Sequence, residues 1–120
     1  MSIISHYNQI DPYITRDGSE IRELMHPETH KNKRQSLAEA TVKPGEQTLL
    51  HKHRKSEELY FIQQGKGRLQ VEDELIIVGP GDTICIPAGT AHRIENTGHE
   101  DLKILCICSP AYSHQDTELL

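Results

Sequence analysis

Aromatic residues, cysteine and basic charge are all scarce in this chain, and each shortage excludes a class of protein. The 120 residues include no tryptophan and one phenylalanine, which excludes a core built on large rings. Three cysteines without a Cys-x-x-Cys pair fit neither a disulfide framework nor a zinc knuckle. Thirteen basic against eighteen acidic residues give a formal charge of −5, which lacks the basic footprint of a nucleic-acid-binding protein.

Long hydrophobic runs are also missing. No apolar stretch approaches the roughly 20 residues that a membrane-spanning helix needs. The first ten residues lack the charged and apolar regions of a signal peptide. We therefore expect a cytoplasmic protein with no membrane partner. A length of 120 residues predicts one domain, 1–120, with a single core.

The residues that are abundant favour strands. Thirteen isoleucines, three valines and eight threonines against five alanines are typical of an all-β domain. Glycine and proline turn signals divide the chain into short segments, which predict a sandwich or small barrel. We expect an N-terminal arm over about 1–20, a surface loop at 26–35, a barrel core over about 36–109 and a tail at 110–120. The nine predicted strands are 21–25, 37–42, 48–53, 59–64, 68–72, 75–78, 83–86, 92–95 and 102–108.

Histidine is the other abundant residue, with eight in the chain, and three of them form a pattern with a glutamate. His51 and His53 lie two apart, so in a strand both imidazoles point to the same face. Glu58 opens the next apolar run and brings a carboxylate beside them. The neighbouring Glu57 has the opposite parity and is expected outside. A turn before His92 places a third imidazole at the start of another strand.

Three imidazoles and one carboxylate suit Mn, Fe, Co, Ni or Zn, with positions left open for water or substrate. Burying these groups together without a metal would leave polar atoms and charge uncompensated, at a cost of several kcal/mol. We therefore expect one divalent transition metal ion per chain, of undetermined identity, with His51, His53, Glu58 and His92 as its ligands.

The two stretches around these residues resemble the two signature motifs of the cupin superfamily. The first, Gly-x5-His-x-His-x4-Glu-x6-Gly, is matched from Gly45 to Gly65, and the second, Gly-x5-Pro-x-Gly-x2-His-x3-Asn, from Gly81 to Asn96. The resemblance implies a double-stranded β-helix, or jelly-roll β-barrel, of the RmlC-like type. It also implies that the metal lies inside one end of the barrel, on the same four ligands.

Cupins with this ligand set include dioxygenases, decarboxylases, isomerases, epimerases, lyases and sugar-binding regulatory domains, so the resemblance fixes no reaction. The sequence as a whole is similar to single-domain cupins labelled mannose-6-phosphate isomerase-like. Our first hypothesis is a small metal-dependent enzyme, an isomerase or epimerase, a lyase or a dioxygenase, acting on a small oxygenated metabolite or sugar derivative. The alternative is a non-catalytic module that binds a sugar or metabolite.

Other residues are assigned to the pocket or to the surface. Tyr60 shares the parity of Glu58 and is a candidate catalytic residue, although a core tyrosine fits equally well. Glu39 is a second candidate catalytic residue, with an outward-facing glutamate as the alternative. Gln47 is expected to line the pocket. The side chains that could bind an anionic substrate are Arg22, Arg68 and Arg93.

The remaining expectations concern the surface and the core. Cys106 and Cys108 alternate on a predicted strand and are expected to be buried and reduced. Apolar residues on both faces of 59–64 predict a homodimer that buries Phe61 or Ile76, with coverage by the chain's own N-terminal segment as the alternative. His114 lies in a tail that could fold over the pocket. The histidines expected at the surface are His6, His26, His30 and His99.

Overall fold

The computed structural model describes residues 2–120 and is built almost entirely from β-strands. Its helices in that range are a 3-10 turn (Tyr7–Gln9) and one turn of α-helix, α1 (Pro27–His30). The strands in chain order are β1 (Tyr13–Ile14), β2 (Glu20–Met25), β3 (Ser36–Val42), β4 (His51–His53), β5 (Glu57–Gln64), β6 (Gly67–Val71), β7 (Glu74–Val78), β8 (Thr83–Ile86), β9 (His92–Asn96), β10 (Leu102–Ser109) and β11 (Thr117–Leu119).

These strands form two antiparallel sheets that pack into a jelly roll, which confirms the predicted all-β fold. The six-stranded sheet has the order β1-β2-β3-β10-β5-β8, and the five-stranded sheet has the order β11-β4-β9-β6-β7. Side chains alternate between the inner and outer faces of each strand. On β5, for example, Glu58, Tyr60 and Ile62 are buried, while Leu59 and Phe61 face outward.

Along β10 of the six-stranded sheet, the inward side chains become smaller from Ile104 to Cys108. Ile104 lies opposite Ile62 on one side and Ala40 on the other. The next layers along β10 contain Cys106 and then Cys108, which lies opposite Glu58. The two cysteine side chains fill less space than isoleucine. The interior is therefore packed at one end and leaves a cavity at the other.

The packed end, here called the closed end, is shaped by Gly65 and Asn96. A Cβ atom on Gly65 would lie 2.9 Å from the carbonyl oxygen of Asp101, and its φ of +86° is one that glycine adopts readily. The Asn96 side chain is 1% exposed. Its amide group donates to the carbonyl oxygens of Val42 and Glu100, both at 2.8 Å, and its oxygen accepts from the Gly98 N–H. The closed end thus satisfies its own buried polar groups.

Two segments differ from the sequence-based expectation. The predicted tail ends in strand β11, which pairs with β4 and buries Thr117. His26, expected at the surface, is 8% exposed. Its Nδ1 accepts from the N–H of Glu28 and caps α1, while its Nε2 lies 2.7 Å from the carbonyl oxygen of Tyr112. Long-range contacts bury both residues, Thr117 against β4 and His26 against the C-terminal segment, and such contacts leave no mark on local sequence pattern.

The outer surface bears on the expected homodimer. Phe61 is 37% exposed on the outer face of β5, whereas Ile76 packs partly against the core. The N-terminal segment covers β3, where the Tyr7 hydroxyl donates to Glu39, and leaves Phe61 open. The homodimer stays a prediction, which light scattering tests. Within residues 2–120, no helix has the length and apolar character required to cross a membrane, and the cytoplasmic location also stays a prediction.

Candidate metal centre

The three motif histidines meet at the end of the barrel opposite Asn96, here called the open end. Strands β4 and β9 are neighbours in the five-stranded sheet, and His51 lies directly opposite His92. His53 follows two residues after His51 on the same face. Each imidazole offers a nitrogen, and these nitrogens all lie within 4.8 Å of one another. The three side chains are 4% exposed or less.

Backbone carbonyl groups fix the protonation of two of these imidazoles. The Nδ1 atom of His51 lies 2.7 Å from the carbonyl oxygen of Leu49, and that of His92 lies 2.9 Å from the carbonyl oxygen of Thr90. Because a carbonyl oxygen can only accept, each Nδ1 carries the proton. The Nε2 lone pairs are then free for a metal, the arrangement usual for metal-binding histidines.

His53 is held in the same way by a side chain from the C-terminal strand. Its Nδ1 lies 3.0 Å from the hydroxyl oxygen of Thr117, which sits directly opposite His53 in the β4–β11 pair. The Thr117 hydroxyl donates its own proton to the carbonyl oxygen of Ser113 at 2.9 Å. Its oxygen therefore accepts from the Nδ1–H of His53, and Nε2 is the ring nitrogen that faces Glu58 and is placed to bind a metal.

Glu58 supplies the carboxylate from β5, in the facing sheet. Its Oε1 lies 3.2 Å from the Nε2 of His53 and 3.3 Å from the Nε2 of His92. Its Oε2 accepts from the Cys108 thiol at 3.4 Å. Burial by itself raises the pKa of Glu58, but electrostatic interaction with the neighbouring His53 and His92 imidazoles outweighs it and lowers that pKa below its ordinary value. Glu58 is thus an anion whose Oε1 points at the imidazoles.

The polar atoms at this centre fit a metal ion. Within the part of the chain that the structure describes, Oε1 of Glu58 and Nε2 of His92 are fully buried and have no hydrogen-bond partner. Burial, followed by the neighbouring His92, lowers the pKa of His51 and favours the neutral form that a metal requires. Buried polar atoms without partners are costly, and a metal ion bound to these atoms would offset that cost.

A cavity leads from the metal centre to the surface. Its volume is about 40 Å³. The cavity is therefore narrow and suits a small ligand. Tyr60 lines its wall, with its ring centroid 6.0 Å from that of His92. Small side chains such as Ala38 and Ala40 make the space.

Asp17 and Tyr112 are among the cavity residues that sequence reasoning missed. Asp17 lies in the turn between β1 and β2, and its Oδ2 is 3.6 Å from the Nε2 of His51. Tyr112 lies in the predicted tail, with its ring centroid 5.7 Å from that of His53 and its hydroxyl 3.0 Å from that of Thr15. The Asp17-Gly18 pair signals only a turn, and no local pattern places Tyr112 at the site.

Several predicted pocket residues lie elsewhere. Glu39 is on β3 between Ala38 and Ala40, which face the cavity, so strand parity directs its side chain outward to Tyr7. Gln47 is exposed and lines a separate outer cleft. Glu57 is exposed on the outer face of β5, as expected from its parity.

The arginines predicted to bind an anionic substrate and His114 also lie outside the cavity, whereas two of the three cysteines are buried. Arg68 and Arg93 line the outer cleft, where Arg68 pairs with Glu95 at 2.6 Å. Arg22 stacks over the ring of Tyr7. His114 is exposed and lies 3.0 Å from the Tyr112 hydroxyl, so it contacts a cavity residue without lining the cavity. Cys106 and Cys108 are buried and free, as predicted, while Cys85 is free and exposed.

Comparison with known families agrees with this geometry. The model of the cupin domain matches residues 38–108, a span that contains all four candidate ligands. This chain belongs to the cupin family. The N-terminal arm, strand β2 and strand β11 lie outside the matched span, and they contribute Asp17 and Thr117 to the site.

The chain is similar to two proteins in sequence and to a solved structure. It is 55% identical to an uncharacterized protein of Methanocaldococcus jannaschii, over all of this chain and 97% of that one. It is 33% identical to an oxalate-binding protein of Thermotoga maritima over 73% of each chain. The crystal structure of a predicted oxalate decarboxylase from Thermotoga maritima superposes with a TM-score of 0.77 at 28% identity, covering 92% of this cupin and 99% of that chain.

Proposed function

We propose that this cupin binds one divalent transition metal ion per chain through His51, His53, Glu58 and His92, and that it is a metal-dependent enzyme acting on a small oxygenated molecule. One observation carries the proposal. Oε1 of Glu58 and Nε2 of His92 are buried, lack hydrogen-bond partners in residues 2–120 and lie 3.3 Å apart, and Glu58 lines a cavity beside them.

A divalent metal at this centre would supply a Lewis acid that polarises a ligand oxygen. The chain contributes the orientation. Tyr60 is buried beside His92, and burial raises its pKa well above the ordinary value. Its hydroxyl therefore stays protonated near neutral pH and can donate a hydrogen bond to a ligand oxygen. Isomerase or epimerase, lyase and dioxygenase chemistry all fit this arrangement.

A non-catalytic binding module is the second candidate. It is supported by the relative from Thermotoga maritima, whose name describes binding rather than a reaction. The same cavity and metal would serve such a role. The two candidates differ in turnover: an enzyme releases an altered molecule, whereas a binding module returns its ligand unchanged.

The metal site is tested first, by elemental analysis and calorimetric metal titration of untagged protein. We expect one metal ion per wild-type chain, and a loss of at least about 100-fold in affinity for His92→Ala, because one of four ligands is removed. His99→Ala is the matched control, since His99 is exposed near the end of the same strand. Unchanged stoichiometry and affinity in His92→Ala would refute the assigned site.

The reaction class is tested by anaerobic reconstitution with Fe(II), followed by oxygen electrode measurements with a candidate diketone. Oxygen uptake that is absent in His92→Ala would support dioxygenase chemistry. Stoichiometric Zn or Ni without oxygen uptake would direct the search to isomerase or lyase products, measured by mass spectrometry. Recovery of every bound compound unchanged, with each metal, would favour the binding module.

A further inference from the structure

The cavity above the metal centre is acidic. Its lining includes three carboxylates, Asp17, Glu23 and Glu58, and within residues 2–120 it includes no lysine or arginine. The rest of the lining is apolar or uncharged, apart from the histidines described above. A ligand in this cavity therefore meets negative charge from the protein, and its positive partner is the metal.

Asp17 is held in place beside the metal centre. Its Oδ1 accepts hydrogen bonds from the backbone N–H of Ser19 at 2.9 Å and from the Ser19 hydroxyl at 2.7 Å. Those bonds orient the carboxylate so that Oδ2 faces the Nε2 of His51 at 3.6 Å. The side chain is 13% exposed, so water screens its charge only weakly.

Glu23 places a second carboxylate nearer the mouth. Its Oε2 lies 3.4 Å from the Tyr13 hydroxyl, while its Oε1 is buried without a hydrogen-bond partner in the described chain. Burial raises the pKa of Glu23 above its ordinary value. The mouth of the cavity thus disfavours negative charge on a side chain, and the same desolvation cost falls on an anionic ligand.

The nearby basic side chains point away from the cavity. Arg22 alternates with Glu23 on β2, so it lies on the opposite face, where it bonds to the Ile10 carbonyl oxygen. Arg16 is exposed and lies 3.4 Å from the carbonyl oxygen of His114. A phosphate or carboxylate group would find neither guanidinium within the cavity lining.

We propose that this cavity selects an uncharged small molecule with adjacent oxygen atoms, such as a diol or hydroxyketone, over an anionic one, a preference that rests on the proposed metal site. Glu58 and Asp17 together balance the charge of a divalent metal. An uncharged ligand keeps that balance. A carboxylate or phosphate adds net negative charge in a buried, weakly screened space, where repulsion from Asp17 opposes its binding.

The test uses two probes of nearly the same shape: glycolamide, which is neutral, and glycolate, which is an anion with a carboxylate oxygen in place of the amide NH2. Binding is followed through the visible absorption bands of the Co(II)-loaded protein. We expect Asp17→Asn to raise the affinity for glycolate by roughly tenfold, through loss of one nearby charge. The affinity for glycolamide should change by less than about twofold. Asn keeps an oxygen that can accept from Ser19.

Two further variants make the result decisive. Glu23→Gln should shift the glycolate affinity in the same direction by a smaller factor. Asp73→Asn removes an equal charge from an exposed turn and should change neither affinity. Cobalt bound at full stoichiometry with glycolate affinity unchanged in both Asp17→Asn and Glu23→Gln would overturn the charge preference alone. Absence of stoichiometric cobalt in the wild-type protein would overturn the proposed metal site and the preference together.

Discussion

The two ends of the barrel differ in whether their buried polar groups have hydrogen-bond partners. Strand β9 runs from His92 at the open end, through Ile94, to Asn96 at the closed end, and all three side chains are buried. Asn96 is satisfied by hydrogen bonds to the chain itself. Within residues 2–120, the Nε2 of His92 is left without a partner. One strand of five residues therefore has a buried polar group with hydrogen-bond partners at one end and a buried polar atom without a partner at the other.

This difference separates the residues that stabilise the fold from the residues that form the candidate site. The closed end is held by packing of large aliphatic side chains, whose burial stabilises the domain without any ligand. At the open end, small side chains such as Ala38 and Cys108 line the cavity and leave space for a ligand. Variants at the closed end should therefore change folding, and variants at the open end should change metal affinity.

The largest effect is expected for Ile62→Ala at the closed end. Ile62 is 0% exposed, and its truncation removes buried apolar surface and leaves a cavity. We expect a loss of about 2–5 kcal/mol in the free energy of unfolding, measured by urea denaturation of the metal-free protein. Ile77→Ala, at an outward position that is 75% exposed, is the control and should change it by less than about 0.5 kcal/mol. A loss below 1 kcal/mol in Ile62→Ala would contradict the packing difference.

A smaller effect is expected at the open end for Thr117→Val. The valine removes the hydroxyl that accepts from His53 and leaves the imidazole without its orienting partner. We expect metal affinity to fall by about 10–100-fold in a calorimetric titration, as for other groups that orient a ligand.

Two controls separate orientation of His53 from a general loss of stability. Thr117→Ser keeps the hydroxyl and should retain most of the affinity. Thr83→Val makes the same chemical change at an exposed strand position and should leave the affinity unchanged. Equal affinity in Thr117→Val and the wild type would show that the C-terminal strand plays no part in metal binding.

The smallest effect concerns pH and Glu23. Because the pKa of Glu23 is raised in the folded protein, the folded state holds that proton more tightly than the unfolded chain. This contribution to stability is present below the ordinary pKa and is lost as pH rises through the raised value. We expect Tm measured against pH to fall across this interval in the wild type relative to Glu23→Gln, by a few degrees at most. The exposed Glu57→Gln should run parallel to the wild type, and a parallel curve for Glu23→Gln would contradict the prediction.

The sequence predicts the inner part of the molecule better than its edges. The alternation of β5 and the two-residue spacing of His51 and His53 are local patterns, and a strand converts them directly into a shared face. The fold and the meeting of the three imidazoles with Glu58 could therefore be anticipated. Strand parity also gives the outward direction of Glu39, which is buried under Tyr7 on the outer face of β3 and does not line the cavity.

The strands at the edges of the two sheets are placed by strand pairings that a local sequence pattern does not encode. Thr117 reaches His53 because β11 pairs with β4, across 64 positions of sequence. β11 has three residues, too few for its alternation to predict a strand. Asp17 likewise reaches His51 only because β1 and β2 are folded onto the six-stranded sheet. These two residues are therefore outside the reach of motif reasoning.

The contact between Thr117 and His53 also has a consequence for how the protein is made. During synthesis, both histidines of β4 leave the ribosome well before β11 does. Until β11 pairs, His53 lacks the hydroxyl that assigns its proton, and the imidazoles are open to whichever metal ion or proton arrives first. The site is therefore complete only after β11 has paired with β4, and a metal ion that arrived earlier would meet an imidazole not yet held by Thr117.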